Sequence, residues 1–298
     1  LLAHGSGARR ARKAIEVEGS FTMENKTKYL LKNISANAVI GIYAIFAIFP
    51  LIWLIIISFK SDMQMYTTTF LFTPTLDNYR VVLFEGADYI KAFVNNIIVS
   101  GGAVLLSLIV GVPAAYAFAR YHFAKKEDLA FTILSFRFAP EILVILPLFM
   151  IYQKIGLYDT YFGLIWVYQL ITLPLLIWVL RGYFEEISVE IEQAANLDGY
   201  PWYHVFMKIL VPLIKPGLVA SSLLAFIFAW NSFTFPLLLS GFKIETVTVA
   251  ALRYIGSDTV HYGQMAVAAG VAALPEVILA LIIQKHLVRG LSFGAVKG

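Results

Sequence analysis

Six long stretches, nearly free of charge, decide what this chain can become. They run from Asn37 to Phe59, Phe93 to Ala119, Leu129 to Tyr152, Tyr161 to Leu180, Pro216 to Phe242 and Gln264 to Ile283. A helix needs about 20 predominantly apolar residues to cross the hydrocarbon of a bilayer. Lipid offers the backbone no hydrogen-bond partner, so such runs cross as helices or as the strands of a closed barrel. The strict alternation of barrel strands is absent. The expected fold is therefore all-α, a polytopic membrane protein with six transmembrane helices. Composition agrees: 14% of the 298 residues are charged, where a soluble domain carries about a quarter. With no cysteine, neither disulfides nor thiolate metal sites can hold the fold.

One hydrophilic interruption, Glu185 to Pro216, carries Glu185, Glu186, Glu190, Glu192, Asp198, Lys208 and Lys215 and cannot itself cross. Locally it reads as two short helices joined by a turn. Ser188 is a candidate N-cap, and the early glutamates suit a helix start. Asp198-Gly199 stops the first helix, since glycine reaches the left-handed conformation that such a turn needs. Pro201 fits the first turn of a second helix from about Trp202 to Leu210, which Pro212 and Pro216 end. Trp202, Val205, Phe206 and Ile209 form an aromatic–aliphatic face that reads as a docking surface.

Lysine and arginine give the orientation. With the N-terminus inside, the inner segments carry sixteen basic residues and the outer segments six, which the positive-inside rule favours. The net charge of +4 is thus a topology signal, and no aromatic–basic interleaving suggests nucleic acid. Residues 1–36 form an inner N-terminal segment, of which 1–22, ahead of Met23, read as an upstream extension. Residues 37–290 form the membrane domain with its loop at 185–216, and 291–298 an inner C-terminal tail. The first segment has no apolar core and is not a secretory signal.

The 185–216 stretch resembles the cytoplasmic loop of permease subunits of binding-protein-dependent ABC importers. Their pattern is Glu-Ala-Ala, three residues, Gly, nine residues, then Ile-x-Leu-Pro. Here Ala194, Ala195, Gly199, Ile209 and Pro212 match with the right spacing, while Gln193 replaces the glutamate, Glu192 stands just before it, and Val211 replaces the leucine. AAYAFARY (114–121), LPLFMIYQKIGLYDTYFGLI (146–165), IWVLRGYF (177–184), FAWNSFTFPLLL (228–239) and GLSFGAVKG (290–298) are similar to the smaller, maltose-type subunit of the carbohydrate branch. The resemblance implies the type I permease fold, with both termini cytoplasmic, in a bacterial inner membrane. It implies a non-catalytic subunit that forms half of a carbohydrate path. The partners it implies are a homologous second permease, two ATP-binding cassette subunits and an extracytoplasmic solute-binding protein. ATP and Mg would be bound by the ATPase subunits and no cofactor by this chain. The residues it assigns to ATPase coupling are Glu192, Gln193, Ala194, Ala195, Asp198, Gly199, Trp202, Phe206, Ile209 and Pro212.

The residues themselves encode no phosphate cradle, since Gly-x-x-x-x-Gly-Lys-Ser/Thr is absent. The five histidines show no metal-binding spacing, and no Gly-x-Ser-x-Gly elbow occurs. Arg137, Glu141 and Glu276 stand at membrane depth, where each costs about 2.5–3.5 kcal/mol unless it faces protein or water. Arg137 is expected to pair with Glu141, one turn away on the third span, or with Glu276 on the sixth. The set either borders the solute path or is a structural ion pair. An ion-coupled secondary transporter using these three residues is the alternative function. Trp166, Tyr168, Gln169, Trp230, Asn231 and Phe233 either line a solute cavity or pack helices. The outer loop 241–262, turning at Gly256-Ser257-Asp258, is long enough to reach a binding protein.

Overall fold

Apolar runs without β-branched alternation fold here as helices throughout. A computed structural model describes residues 33–66, 69–85, 87–256 and 260–294, with side chains described no further than residue 282. The N-terminal segment 1–32, the loop residues 257–259 and the last four residues lie outside this range. So do most of the expected N-terminal segment, the 1–22 extension and the Ser257-Asp258 part of the outer turn. Among the described residues there is no strand, only an isolated bridge between Ile255 and Val260.

Three helices are long and apolar enough to cross unbroken. They are α1 (Asn33–Ser58), α2 (Ala87–Arg120) and α11 (Tyr262–Gly294). At about 1.5 Å per residue, 26 residues of α1 reach about 39 Å. The last helix takes in the first residues of the expected C-terminal tail. Three further crossings are bent. The third span is α3 (Lys126–Ser135) and α4 (Glu141–Ile155), which meet at 89°. The fourth is α5 (Tyr161–Val167) and α6 (Gln169–Glu186), at 45°. The hydrophilic stretch supplies α7 (Val189–Leu197) and α8 (Trp202–Leu213), and α8 meets α9 (Lys215–Trp230) at 73°. The expected fifth span stops at Trp230. Asn231 to Phe233 interrupt it before the short α10 (Thr234–Leu239).

The break in the third span corrects the expectation of one helix across Leu129–Tyr152. Ala139 is extended (φ −64°, ψ 131°), because the ring of Pro140 disfavours the helical region for the residue before it. Arg137 and Glu141 therefore stand on either side of a corner, not one turn apart on a straight helix.

The bundle is built around α2, which packs along α6 and also meets α9. Glycines let the backbones approach: a Cβ on Gly111 would come within 2.6 Å of the Leu176 side chain. Ser107 Oγ donates to Gln169 Oε1 at 2.7 Å and shares a 2.6 Å bond with Thr172. Gln169 Nε2 donates to the Ala103 carbonyl at 3.1 Å. Small residues and inter-helix hydroxyl bonds are how helices associate where lipid provides no hydrophobic drive.

Candidate functional site

The 185–216 stretch folds as its punctuation dictates. Ser188 caps α7, its Oγ accepting the Glu190 N–H at 3.3 Å, which satisfies one of the helix's orphan donors. Gly199 closes the helix at φ +83°, and the Tyr200 N–H reaches back to the Ala195 carbonyl at 3.1 Å, a glycine-stopped C-terminus. Three proline positions differ from expectation. Pro201 precedes α8 as its N-cap, and Pro212 lies within α8. Pro216 opens α9 instead of ending its predecessor, since a first-turn proline sacrifices no helical hydrogen bond. Val205–Leu210 is wound as a π-helix. Its wider bonding pattern sits directly before Pro212, which has no N–H for the carbonyl four residues back.

The expected docking face splits in two. Phe206 is only 8% exposed, and Val205, Leu210 and Ala195 are buried with it against Val112, Ala115, Leu180 and Phe184 of α2 and α6. Phe206 stacks with Phe184 at 6.2 Å and meets Tyr116 at 5.1 Å. Ile209 is half-buried at the edge of the same cluster. These residues bind the loop to its own helices, so Ala195 and Phe206 are not surface for a partner. The reason is geometric: α8 lies against the bundle, and one side of a helix so placed must be dry. On the other side Trp202 is 70% and Leu197 89% exposed, and Tyr200, Tyr203 and Met207 are exposed around them. Gln193, Ala194, Asp198, Gly199 and Pro212 are exposed as well.

Glu192 also turns inward. Its carboxylate accepts from the Arg120 guanidinium at the end of α2 and from the Tyr116 hydroxyl at 3.0 Å. Both side chains of the ion pair are about nine-tenths covered, at 11% and 12% exposure. Arg120 Nη2 donates to the Ile187 carbonyl at 2.8 Å, at the entry to the loop. Nearby, Arg181 grips Glu127 with two bonds of 2.8 and 2.6 Å and Glu185 with one of 2.7 Å. Sequence reasoning missed the grips of Arg120 on Glu192 and of Arg181 on Glu127, because these partners are 72 and 54 residues away.

The intramembrane charges do not pair as expected. Arg137 Nη1 donates to the Ile171 carbonyl at 2.9 Å, and its guanidinium lies 3.9 Å from the Phe228 ring centroid, a cation–π contact. Glu276 accepts from Asn231 Nδ2, which also donates to the Ile227 carbonyl at 2.9 Å. Arg137 forms no ion pair with Glu141 or Glu276, because the 89° corner turns it toward α6 and α9. Arg137 and Glu141 nonetheless line one cavity of about 150 Å³ with Phe136, Ile171, Phe228 and Phe235. Of the six expected cavity-lining residues, Trp166 and Gln169 line an apolar cavity of about 550 Å³, while Tyr168 and Trp230 are packing groups. Trp230 is buried with its Nε1 donating to the Ala272 carbonyl at 2.9 Å. Trp166, Asn231 and Phe233 remain exposed.

At the far end of the bundle, Asp159 holds the start of the outer loop. Its carboxylate accepts from the N–H groups of Gly241, Lys243 and Ile244 at 2.9, 3.2 and 2.9 Å. Phe242, inside this clamp, is fully exposed. Glu245 pairs with Arg253, and burial pushes its carboxyl above the ordinary range while Arg253 draws it down. Among the described residues, no group of three or more histidine, aspartate or glutamate side chains could hold a metal.

Comparison with known proteins places this architecture. A family model described as binding-protein-dependent transport system inner membrane component matches residues 107–293. The chain is 37% identical over 257 residues to the trehalose transport system permease protein SugB of Mycobacterium tuberculosis, covering 85% of this chain and 93% of that one. It is 34% identical to the trehalose/maltose transport system permease protein MalG of Thermococcus litoralis, covering 86% and 93%. In fold it is similar to a chain of a bacterial ABC transporter involved in import of the acidic polysaccharide alginate. The TM-score is 0.72 at 24% identity, over 86% of this chain and 96% of that one.

Proposed function

This chain belongs to the family of binding-protein-dependent transport system inner membrane components, and from that premise we propose that it forms half of a carbohydrate path driven by ATPase partners docked on its 185–216 loop. It is an ABC-importer permease subunit and a multi-pass protein of the inner membrane. Family membership stands against the ion-coupled alternative, as does the lack of any ion pair joining Arg137 to Glu141 or Glu276. The carbohydrate class is supported by the relatives, which are permease proteins of trehalose and trehalose/maltose transport systems.

The observation that carries the docking role is the split loop. One side is buried in the bundle; the other presents Leu197, Tyr200, Trp202, Tyr203 and Met207 to solvent. A contiguous exposed apolar patch rimmed by polar residues marks an interaction site, and aromatic anchors dominate such interfaces. The basic residues favour this end as cytoplasmic, where nucleotide is. ATP and Mg would bind in two cassette subunits, and one of them would seat the loop. Their closure would move the loop, and with it the helices, by rigid-body rocking. A homologous second permease would complete the path, and an extracytoplasmic binding protein would deliver solute to the clamped outer loop. Inside the path, the cavity lined by Arg137, Glu141 and Phe228 combines a charged fork, a carboxylate and an aromatic face. Sugars are recognised by such sets.

The test is co-expression with a candidate ATP-binding cassette subunit, followed by affinity purification. Trp202→Ala should weaken ATPase association by about tenfold or more. Gly199→Val should do the same by forcing a β-branched residue to φ +83°. Full association of both variants would defeat the docking role.

A further inference from the structure

A loop that only docks would need no bond to the helix beside it, yet this one is bolted to the end of α2. Arg120 is the last residue of α2, and it holds both the entry of the loop, at the Ile187 carbonyl, and the first turn of α7, at Glu192. The Tyr116 hydroxyl, one turn earlier on α2, adds a second bond to the same carboxylate at 3.0 Å. The aromatic ring of Tyr116 in turn packs on Phe206 of α8 and Phe184 of α6. Two adjacent turns of α2 are thereby tied to α7 by charge and to α8 by packing.

We propose that the Arg120–Glu192–Tyr116 cluster is the joint that makes the loop and α2 move as one body, with Arg120 and Glu192 as positioning residues for ATP-driven transport. The inference rests on the docking role proposed above but assigns a distinct step, transmission of movement instead of capture of the ATPase. Three features favour a joint over a casual surface pair. The side chains are largely shielded from water, so salt screens the attraction less than at an open surface. The guanidinium is shared between a carboxylate and a backbone carbonyl, which fixes direction as well as distance. The pair links the docking element to the helix with the widest packing in the bundle, so movement delivered there reaches α6 and α9.

Glu192 is also where the chain departs from a simple reading of its motif. The motif glutamate position holds Gln193, which faces outward, while the carboxylate one residue earlier faces inward. Successive helical residues are about 100° apart, so this offset separates the inward grip from the outward surface.

The chain has no cysteine, so two introduced cysteines are the only labelling sites it contributes. Leu197→Cys on the exposed loop and Leu105→Cys on the exposed side of α2 would be labelled in the assembled complex. Distances are then measured by double electron–electron resonance, without nucleotide and with ATP plus vanadate. The parent complex should give one narrow distribution that nucleotide leaves unchanged. Adding Glu192→Arg should make that distance nucleotide-dependent or broad while the ATPase still co-purifies. The swap Arg120→Glu with Glu192→Arg should bring back the narrow distribution. A distribution in Glu192→Arg identical to the parent in both states overturns the joint, as does a swap no better than the single variants. If the parent chain itself fails to hold the ATPase, the docking role falls instead, and the two failures are told apart by the purification step.

Discussion

The two ends of the bundle are held by different chemistry. At the loop end, arginine side chains grip carboxylates on other helices: Arg120 with Glu192, and Arg181 with Glu127 and Glu185. At the far end Arg253 also pairs with Glu245, but the loops there are held mainly through their backbone. Asp159 collects three N–H groups, and Asn78 donates to the Ser58 and Lys60 carbonyls at 3.0 and 2.8 Å. Tyr158 reaches the Ser240 carbonyl. A grip on backbone fixes the shape of a loop outright, because the chain cannot turn away as a rotamer can. A grip between side chains joins two elements that keep their own shapes and can shift together. The far end is therefore built to hold a surface still, and the loop end to carry displacement.

Glycines sharpen the contrast and give the largest expected effect. A Cβ on Gly163, near the far end, would lie 2.3 Å from the Leu157 carbonyl oxygen, which cannot move without the chain. Gly163→Ala should lower stability by about 3 kcal/mol, seen as a fall in thermal midpoint of the detergent-solubilised complex. Asp159→Ala strands three N–H groups and should cost about 2 kcal/mol, read in the same assay, with faster proteolysis after Lys243. Gly217, at the loop end, faces the Tyr183 ring at 2.5 Å. That ring can swing, so Gly217→Ala should cost only about 1 kcal/mol. A Gly217 effect equal to that of Gly163 would break the comparison. The smallest effect belongs to Arg181→Lys. It keeps the charge but loses the paired bonds to Glu127, whose carboxylate is open to water, and its thermal midpoint should fall only slightly, as ion pairs with an exposed partner contribute little.

How much of this could be read beforehand depended on distance along the chain. Ser188 and Gly199 were legible because a cap and a left-handed stop are decided within a few residues. The corner at Ala139-Pro140 was legible in principle, since X-Pro disfavours helix at X, but six nearly uncharged runs of spanning length masked it. Missing that corner misplaced Arg137, whose real neighbours are Ile171 and Phe228. The inward turn of Phe206 could not be seen, because which side of α8 is dry depends on where α2 and α6 lie. The membrane fold and the family pattern came through intact. The contacts that join loop to bundle did not, being set by residues brought together only in three dimensions.

The elbow at Ile214 carries a mechanical consequence. Its two arms meet at 73°, and the residue between them is 1% exposed, so the corner is seated inside the protein. A stroke along the arm that bears Trp202 reaches the arm that ends at Trp230 almost crosswise. The part behaves as a bell crank, trading a slide in one plane for a swing in another.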